Sequence, residues 1–290
     1  MNSQRFVLGK PLECGMSLSI ALAPGGNAAK GLKRVAAGYD LDWGTIGIGE
    51  PLTMALKKKV SGLSTFPAMS APGSGVPSTQ QAMWMMLAGA TQGDNFARLQ
   101  KVTQLLGSDF IVVDAQTTFH NNSHDLSGYE DGTENPKGAK AVKAAIVADG
   151  AGLAGSSFVA VQRWVHDLAF FAGLSQTRRD NAIGRRLIDN EEIEDAPKSA
   201  HVKRTTQEDF EPNGFMLRRS MSFADARGKG LEFIAYVAYL DTFTRQMRRM
   251  AGLDDGIADA LFQFSRPITG AYYWCPPARG GRADLRILGL

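Results

Sequence analysis

The most constraining feature of this sequence is the order in which its hydrophobic periodicity changes between strand-like and helix-like. In the first half, alternating or fully apolar stretches predict strands, and a spacing of three to four residues predicts helices. The segments are a strand at Met16–Leu22, a helix around Leu32–Ala36, strands at Thr45–Ile48 and Ala82–Ala88, a helix from Asp94 as N-cap to Gly107, and a strand at Phe110–Val113. This order predicts a ferredoxin-like module, in which helices cover one face of an antiparallel sheet.

The second half has the same order of patterns. Its segments are a strand at Ser157–Val165, strands at Phe215–Phe223 and Leu231–Leu240 around a turn-rich stretch, a helix at Thr242–Met250, and a closing strand at Tyr272–Trp274. The polar, turn-rich stretch Asn121–Lys137 lies between the halves. We therefore predict an α+β chain of two fused ferredoxin-like modules, residues 1–125 and 126–290.

Composition narrows the class of protein. The 290 residues are 44% hydrophobic and 21% charged, and 32 basic against 29 acidic residues leave a net charge of +3. The basic residues are spread along the chain, which does not indicate nucleic-acid binding. No apolar stretch has the length of a signal peptide or a membrane span, so we predict a cytoplasmic protein. The C-x-x-C-H attachment sequence is absent, so any haem is held without thioether bonds.

The chain has four histidines, which limits the choice of an imidazole ligand. His120 and His124 are four residues apart, but the intervening residues favour a loop and no acidic or cysteine partner completes a metal set. His166 falls at the end of a strand, where a hydrogen bond to a carboxylate or to the backbone is the commoner role. His201 alone would be read as a surface or capping residue.

The segments around His201 change that reading. Gly128-Tyr129-Glu130-Asp131-Gly132 continues as T-E-N-P upstream, and Leu217-Arg218-Arg219-Ser220 follows downstream. With these segments the sequence resembles the dye-decolorising peroxidase family, in particular its short bacterial branch. The resemblance is dense over about residues 110 to 275 and looser before them. It implies that non-covalent haem b is held mainly by the C-terminal module.

The resemblance also implies a peroxidase that reduces hydrogen peroxide and oxidises dyes and phenols through a ferryl intermediate. Asp131 is the implied distal acid–base residue, because one group must take a proton from peroxide and return it. Arg218 adds a fixed positive charge for the charge that develops on oxygen. Strand alternation places Ser220 on the face of Arg218 and leaves Arg219 on the other. Ser220 is thus a third catalytic candidate, although many relatives carry asparagine there.

On the other side of the haem, the resemblance implies that His201 is the axial iron ligand. Asp259 is the candidate acceptor for its second ring nitrogen; the alternative is an ordinary helix carboxylate beside Asp254 and Asp255. Arg185 is the implied partner of a haem propionate. The other cofactor-binding candidates are Gly132, Thr133, Glu134 and Phe223.

The sequence alone leaves open the route of electrons, the assembly of the protein and two alternative functions. Bulky reductants could pass electrons through Trp164, Trp274, Tyr236 or Tyr239 near the surface, although a plain core position is the commoner role for each. Relatives of this family associate as homo-oligomers, and some are packaged in encapsulin shells. One alternative is a haem-binding or iron-handling protein with incidental peroxidase activity. Another is a haem-free interaction module that uses the acidic segment 191–195.

Overall fold

The computed structural model describes residues 2–290. The helices are α1 (Arg5–Leu8), α2 (Ala28–Gly38), α3 (Glu50–Ala55), α4 (Gln92–Leu106), α5 (Gly138–Ala145), α6 (Leu168–Gly173), α7 (Gln176–Ile183), α8 (His201–Thr205) and α9 (Leu240–Met250). The strands are β1 (Cys14–Leu22), β2 (Gly44–Ile48), β3 (Met69–Ala71), β4 (Ser74–Val76), β5 (Met83–Leu87), β6 (Phe110–Phe119), β7 (Ser157–His166), β8 (Leu217–Arg218), β9 (Met221–Asp225), β10 (Gly228–Val237), β11 (Ser265–Pro267), β12 (Ala271–Cys275), β13 (Ala278–Arg279) and β14 (Arg282–Ala283). Short 3₁₀ turns lie at Gln207–Asp209, Ala260–Gln263 and Arg286–Leu288.

The main sheet closes into an antiparallel barrel. Its strand order is β11-β7-β12-β2-β5-β1-β6-β9-β10-β8, and a further pairing of β7 with β10 closes the ring. Two four-stranded halves meet at two narrow joints. At one joint Trp274 pairs with Ile48, and at the other Phe119 pairs with Ser222.

Each half has the predicted order of strands and helices. The first half is β1, α2, β2, β5, α4 and β6, and its strands lie in the order β2-β5-β1-β6. The second is β7, helices, β9, β10, α9 and β12, in the order β12-β7-β10-β9. The α+β class with antiparallel sheets is therefore confirmed. The boundary between residues 125 and 126 stays a prediction.

Strands β2, β5, β7 and β12 are buried on both faces because they separate two apolar clusters. On β7, Val159 and Val161 belong to one cluster with Trp84 and Tyr273, whose rings stack 6.2 Å apart. Trp164 belongs to the other cluster, beneath the helices. This two-sided burial explains why the apolar residues of the stretch Ala82–Ala88 are continuous and do not alternate with polar ones.

Three local expectations need correction. Thr91, not Asp94, is the N-cap of α4, and Asp94 completes a capping box from the third helical position. The strand predicted at Phe110–Val113 continues to Phe119. The strand predicted at Phe215–Phe223 is broken into β8 and β9, so simple alternation cannot be carried across the break.

An ion network connects the two halves, and its Arg163 and Glu232 side chains are buried. Arg163 of β7 pairs with Asp114 of β6 at 2.7 Å and with Glu232 of β10 at 2.9 Å. Arg227, in the turn after β9, also pairs with Asp114, at 2.7 Å. Because burial of unpaired charge is costly, these pairs fix how the halves align. Among residues 2–290, no helix is long and apolar enough to span a membrane.

Candidate active site

A cavity of about 310 Å³ lies between the outer face of the second half-sheet and the helices that cover it. Its apolar wall is formed by side chains of β10, α9 and the turn after Asp259: Leu231, Phe233, Phe243, Met247, Met250 and Leu261. Its polar wall contains the loop 121–137, β8 and α8, which contribute Asp131, Arg218 and His201. An apolar pocket with a few convergent polar groups is typical of a ligand site.

His201 is the first residue of α8 and is fixed by a buried carboxylate. Its Nδ1 donates to Oδ2 of Asp259 at 2.8 Å, and the Asp259 side chain is fully buried. The other oxygen of Asp259 accepts from the backbone N–H of Leu261 at 2.8 Å, so the residue also caps the following turn. The two roles considered from sequence are therefore not exclusive. The arrangement leaves Nε2 as the lone-pair nitrogen of His201.

A buried arginine holds the helix that carries His201. Arg204 makes a two-pronged contact with Asp255, at 2.7 and 2.8 Å, and donates to the carbonyl of Arg249 at 2.6 Å. Bidentate pairs of this kind set orientation as well as distance. The sequence indicated neither residue as part of the site's support.

Asp131 reaches the cavity from a tightly turned loop. Gly128 and Gly132 have φ of 93° and 82°, which a side-chain-bearing residue rarely adopts. The backbone N–H of Asp131 donates to the carbonyl of Ser123 at 2.8 Å, which closes the loop on itself. The two motif glycines therefore allow the backbone to turn tightly on either side of Asp131.

Asn135 and Gln207 place Arg218 relative to that loop. The backbone N–H of Arg218 donates to Oδ1 of Asn135 at 2.8 Å, and Nδ2 of Asn135 donates back to the Arg218 carbonyl at 3.2 Å. Gln207 accepts from the N–H of Met216 at 3.1 Å and donates to the carbonyl of Glu134 at 3.2 Å. Sequence reasoning missed both roles, although Asn135 lies within the T-E-N-P motif.

The charges of Asp131 and Arg218 influence each other across the cavity. Burial raises the pKa of the Asp131 carboxyl, and the Arg218 guanidinium opposes that rise without cancelling it. Burial likewise lowers the pKa of Arg218, opposed by the carboxylates of Asp131 and Glu134. Within residues 2–290, no carboxylate forms a direct ion pair with Arg218. Arg218 thus presents a permanent positive charge and its donors to the cavity.

Arg185 lies at the polar margin of the cavity. It pairs with Glu134 at 2.8 Å and with Glu192 at 3.5 Å, and its side chain is 14% exposed. Thr133 accepts a hydrogen bond from Nδ2 of Asn190 at 3.1 Å. The acidic segment proposed as a contact surface is therefore partly engaged with its own chain.

The remaining histidines have other partners. His166 contacts Oγ of Ser265 with Nδ1 at 2.7 Å and Oδ2 of Asp125 with Nε2 at 3.0 Å. Both ring nitrogens are thus occupied, as a carboxylate-bonded histidine requires. His120 and His124 lie in the loop before α5, and residues 2–290 contain no cluster of three or more histidine, cysteine or acidic side chains arranged for a metal ion.

Besides Asp259, which contacts the cavity residue His201, two predicted site residues do not line the cavity. Phe223 is 1% exposed and packs against the Arg163 guanidinium, 5.7 Å from its ring centre. Ser220 follows the break after β8, and its buried Oγ has no hydrogen-bond partner among residues 2–290. Arg219 points away and donates to the carbonyl of Gly9 at 3.0 Å. Arg218 and Asp131 therefore line the same cavity, whereas Ser220 and Phe223 are not among its lining residues.

The prediction that four aromatic residues lie near the surface is wrong for three of them. Trp164, Trp274 and Tyr236 are 5%, 0% and 2% exposed. Tyr239 is 66% exposed, but it borders a separate surface hollow with Lys143 and Val142. Strand patterning cannot distinguish an aromatic residue in a barrel from one at its rim.

Residues 122–280 match the family model described as Dyp-type peroxidase, C-terminal. The chain belongs to the Dyp-type peroxidase family. It is 31% identical over 223 residues to the dye-decolorizing peroxidase of Mycobacterium tuberculosis, a match covering 74% of this chain and 66% of the relative. A similar match to the Rhodococcus erythropolis protein is 34% identical and covers 61% of this chain and 54% of that one. The matched part thus spans less than two thirds of the curated relatives' length.

Solved structures of the family cover the chain more fully. The dye-decolorizing protein from V. cholerae is 26% identical, covers 98% of both chains and superposes with a TM-score of 0.84. A variant of DypB from Rhodococcus jostii RHA1, in complex with heme, is 26% identical with a TM-score of 0.87. That match covers 93% of this chain and 95% of the DypB chain. The family fold is therefore present over nearly the whole molecule.

Proposed function

We propose that this chain is a peroxidase that uses non-covalent haem b, reduces hydrogen peroxide and oxidises organic reductants such as dyes and phenols. The observation that carries the proposal is that His201, held by a hydrogen bond to Asp259, lines the same cavity as Asp131 and Arg218. A heme-bound structure of a family member supports the choice of cofactor.

The residues of the cavity fit a haem group. His201 offers Nε2 while Asp259 holds its other nitrogen, which is the usual arrangement of a ligating histidine. Arg185 is suited to pair with a propionate in place of one of its present carboxylate partners. The apolar side chains of β10 and α9 suit the porphyrin faces, and Gln246, 4% exposed with an unpaired oxygen, is the polar exception.

The polar residues of the cavity can then transfer the protons of peroxide and stabilise its developing charge. The haem would supply the iron that binds peroxide and accepts its oxidising equivalents. Asp131 would take a proton from the nearer oxygen and return it to the departing oxygen, as general base and then general acid. Arg218 would stabilise negative charge on the departing oxygen. Because burial raises the pKa of Asp131, its base form disappears at a higher pH than for an exposed aspartate.

The test compares haem binding by wild type, His201→Ala and His166→Ala, followed by the Soret band. We expect His201→Ala to lose the wild-type ferric signature and His166→Ala to keep it. The opposite result would mean that the ligand assignment is wrong. A wild type with no Soret band would exclude the haem function and favour the interaction module.

A second measurement separates the peroxidase from a haem-handling protein. Stopped-flow absorbance after mixing with peroxide should show a fast change in wild type that slows in Asp131→Asn and in Arg218→Leu. If both variants react as wild type does, the incidental-activity alternative is favoured.

We further propose a cytoplasmic homo-oligomer, with encapsulin packaging as one possible assembly. Mass measurement in solution and co-purification with a shell protein test these points. Leu285 and Leu288 are 3% and 2% exposed in the main core. A shell contact by residues 286–290 therefore requires this segment to leave the core.

A further inference from the structure

Tyr129 occupies a position that the proposed mechanism does not use. It lies two residues before Asp131, borders the same cavity and is 4% exposed. Its ring packs edge-on against Phe171, with ring centres 6.1 Å apart, and the Phe171 ring contacts the tilted ring of Phe264, with centres 4.0 Å apart. An oxidisable side chain is thus held firmly at the cavity wall.

The phenol of Tyr129 is hydrogen-bonded to a carboxylate. Its hydroxyl donates to Oδ1 of Asp180 on α7 at 2.5 Å. The same oxygen accepts from Nε2 of Gln176 at 2.7 Å and from the backbone N–H of Leu187 at 3.1 Å. Burial, reinforced by Asp180, raises the pKa of the Tyr129 phenol, so the hydroxyl stays protonated and in place as a donor.

The pair also lies close to the molecular surface. Asp180 is half-buried, and Leu187, whose N–H contacts it, is 40% exposed. The Leu187 side chain covers Gly128, where an added Cβ would lie 3.6 Å from its Cδ1. The Tyr129 hydroxyl and the Leu187 N–H thus contact the same Asp180 oxygen, which connects this cavity residue to a partly exposed apolar side chain against which an aromatic molecule can rest.

Tyr129 combines features that the aromatic residues singled out from sequence lack. Trp164 borders the cavity, but its Nε1 donates to the neutral amide of Gln162 at 3.2 Å. Tyr236 donates to the hydroxyl of Thr45 at 3.4 Å, deep in the barrel. Removing an electron from a buried phenol makes it strongly acidic, so a base at the hydroxyl avoids a buried cation.

We propose that Tyr129 is a redox-active residue that relays electrons from aromatic reductants at the surface to the cofactor, with Asp180 as the acceptor of its proton. The proposal rests on the peroxidase function. In the forward step the O–H bond of Tyr129 breaks, the electron goes to the cofactor that peroxide has oxidised, and the proton goes to Asp180. An external phenol then gives one electron to the tyrosyl radical and releases its own proton to solvent. The proton on Asp180 returns to Tyr129.

Asp180→Asn is a sharp test because it separates proton acceptance from structure. All three hydrogen bonds converge on Oδ1, so an asparagine oxygen can keep them while the basic carboxylate is lost. Tyr129→Phe keeps the ring packing and removes the hydroxyl. Tyr239→Phe, at an exposed residue away from the cavity, is the matched control.

The experiment is rapid-freeze EPR of the haem-loaded protein after one equivalent of peroxide without reductant. Growth on ring-deuterated tyrosine distinguishes a tyrosyl radical by the narrowing of its signal. We expect a tyrosyl signal in wild type and in Tyr239→Phe, and its loss in Tyr129→Phe and in Asp180→Asn. Oxidation of a bulky dye should slow in the same two variants, while the initial reaction with peroxide keeps its wild-type rate.

Several outcomes would overturn the relay. A signal that survives in Tyr129→Phe excludes that residue, and a wild-type signal in Asp180→Asn excludes the proton transfer. A wild type that reacts with peroxide and forms no tyrosyl radical also refutes the relay, but leaves the peroxidase function intact. If wild type binds no haem or does not react with peroxide, the proposed function itself fails, and the relay with it.

Discussion

The link between Asp259 and His201 gives the sharpest quantitative prediction. In Asp259→Asn the side chain keeps its shape but has one oxygen where the aspartate uses two. Oδ2 accepts from His201 and Oδ1 accepts from the Leu261 N–H, each at 2.8 Å. The asparagine NH₂ must therefore face one of two donors. Either the imidazole loses its acceptor or the turn after Asp259 loses its cap.

The magnitude follows from the role of such partners. Replacing a group that orients a metal-bound histidine typically costs about 10- to 100-fold in metal affinity or activity. That range corresponds to about 1.4 to 2.7 kcal/mol of binding free energy. The complete burial of the Asp259 side chain favours the upper part of this free-energy range, because no water can replace the lost acceptor.

The assay is titration of haem into the apoprotein, with the dissociation constant taken from the Soret band. Asp254→Asn is the matched control, since Asp254 pairs only with Arg248 at the surface, at 2.9 Å and with 44% of its side chain exposed. We expect the control to bind haem as wild type does. Equal haem affinity in Asp259→Asn and Asp254→Asn would refute this account of the His201 side of the cavity.

Three further predictions concern the opposite wall and the barrel. Arg218→Leu should move the acid limb of the pH profile for peroxide reaction to higher pH, because Arg218 lowers the pKa of Asp131; an unmoved limb in rapid-mixing data would contradict this coupling. Asn135→Ala should lower the free energy of unfolding by about 1–3 kcal/mol in urea titrations, since it leaves the Arg218 backbone N–H without an acceptor. Arg163→Met should cost about 3–5 kcal/mol in the same assay, because Glu232 stays buried without its cation; a loss below about 1 kcal/mol would show that this pair contributes little.

The overall architecture followed from periodicity because each half must bury one apolar surface with the same order of elements. Local details depended on geometry that periodicity does not encode. Thr91 caps α4 because its hydroxyl and the Asp94 carboxylate satisfy each other's backbone N–H groups, which either residue alone does not reveal. The break at Arg219 and Ser220 likewise interrupts a stretch whose side chains are compatible with a continuous strand.

The residues of the candidate site likewise include some that the sequence predicts and some that it does not. His201, Asp131 and Arg218 could be named because chemical need and an extended motif converged on them. Asn135, Gln207 and Asp180 escaped notice because each acts through a contact with a residue more than 50 positions away, at separations of 83, 73 and 51. Polar side chains with such remote partners have no local pattern that distinguishes them from surface residues.

The narrow joints of the barrel have a consequence for synthesis of the chain. The outer edge of β2, at Ile48, has no strand partner until Trp274 of β12 is synthesised, more than 200 residues later. After β6 is made and before Ser222 is added, the first half has two open strand edges, and the β2 edge stays open until β12 is made. Open edges invite pairing with other chains. Chaperone demand should therefore peak while the second half is still being translated. A nascent chain stalled before β12 should aggregate, although most of the cavity residues have already been made.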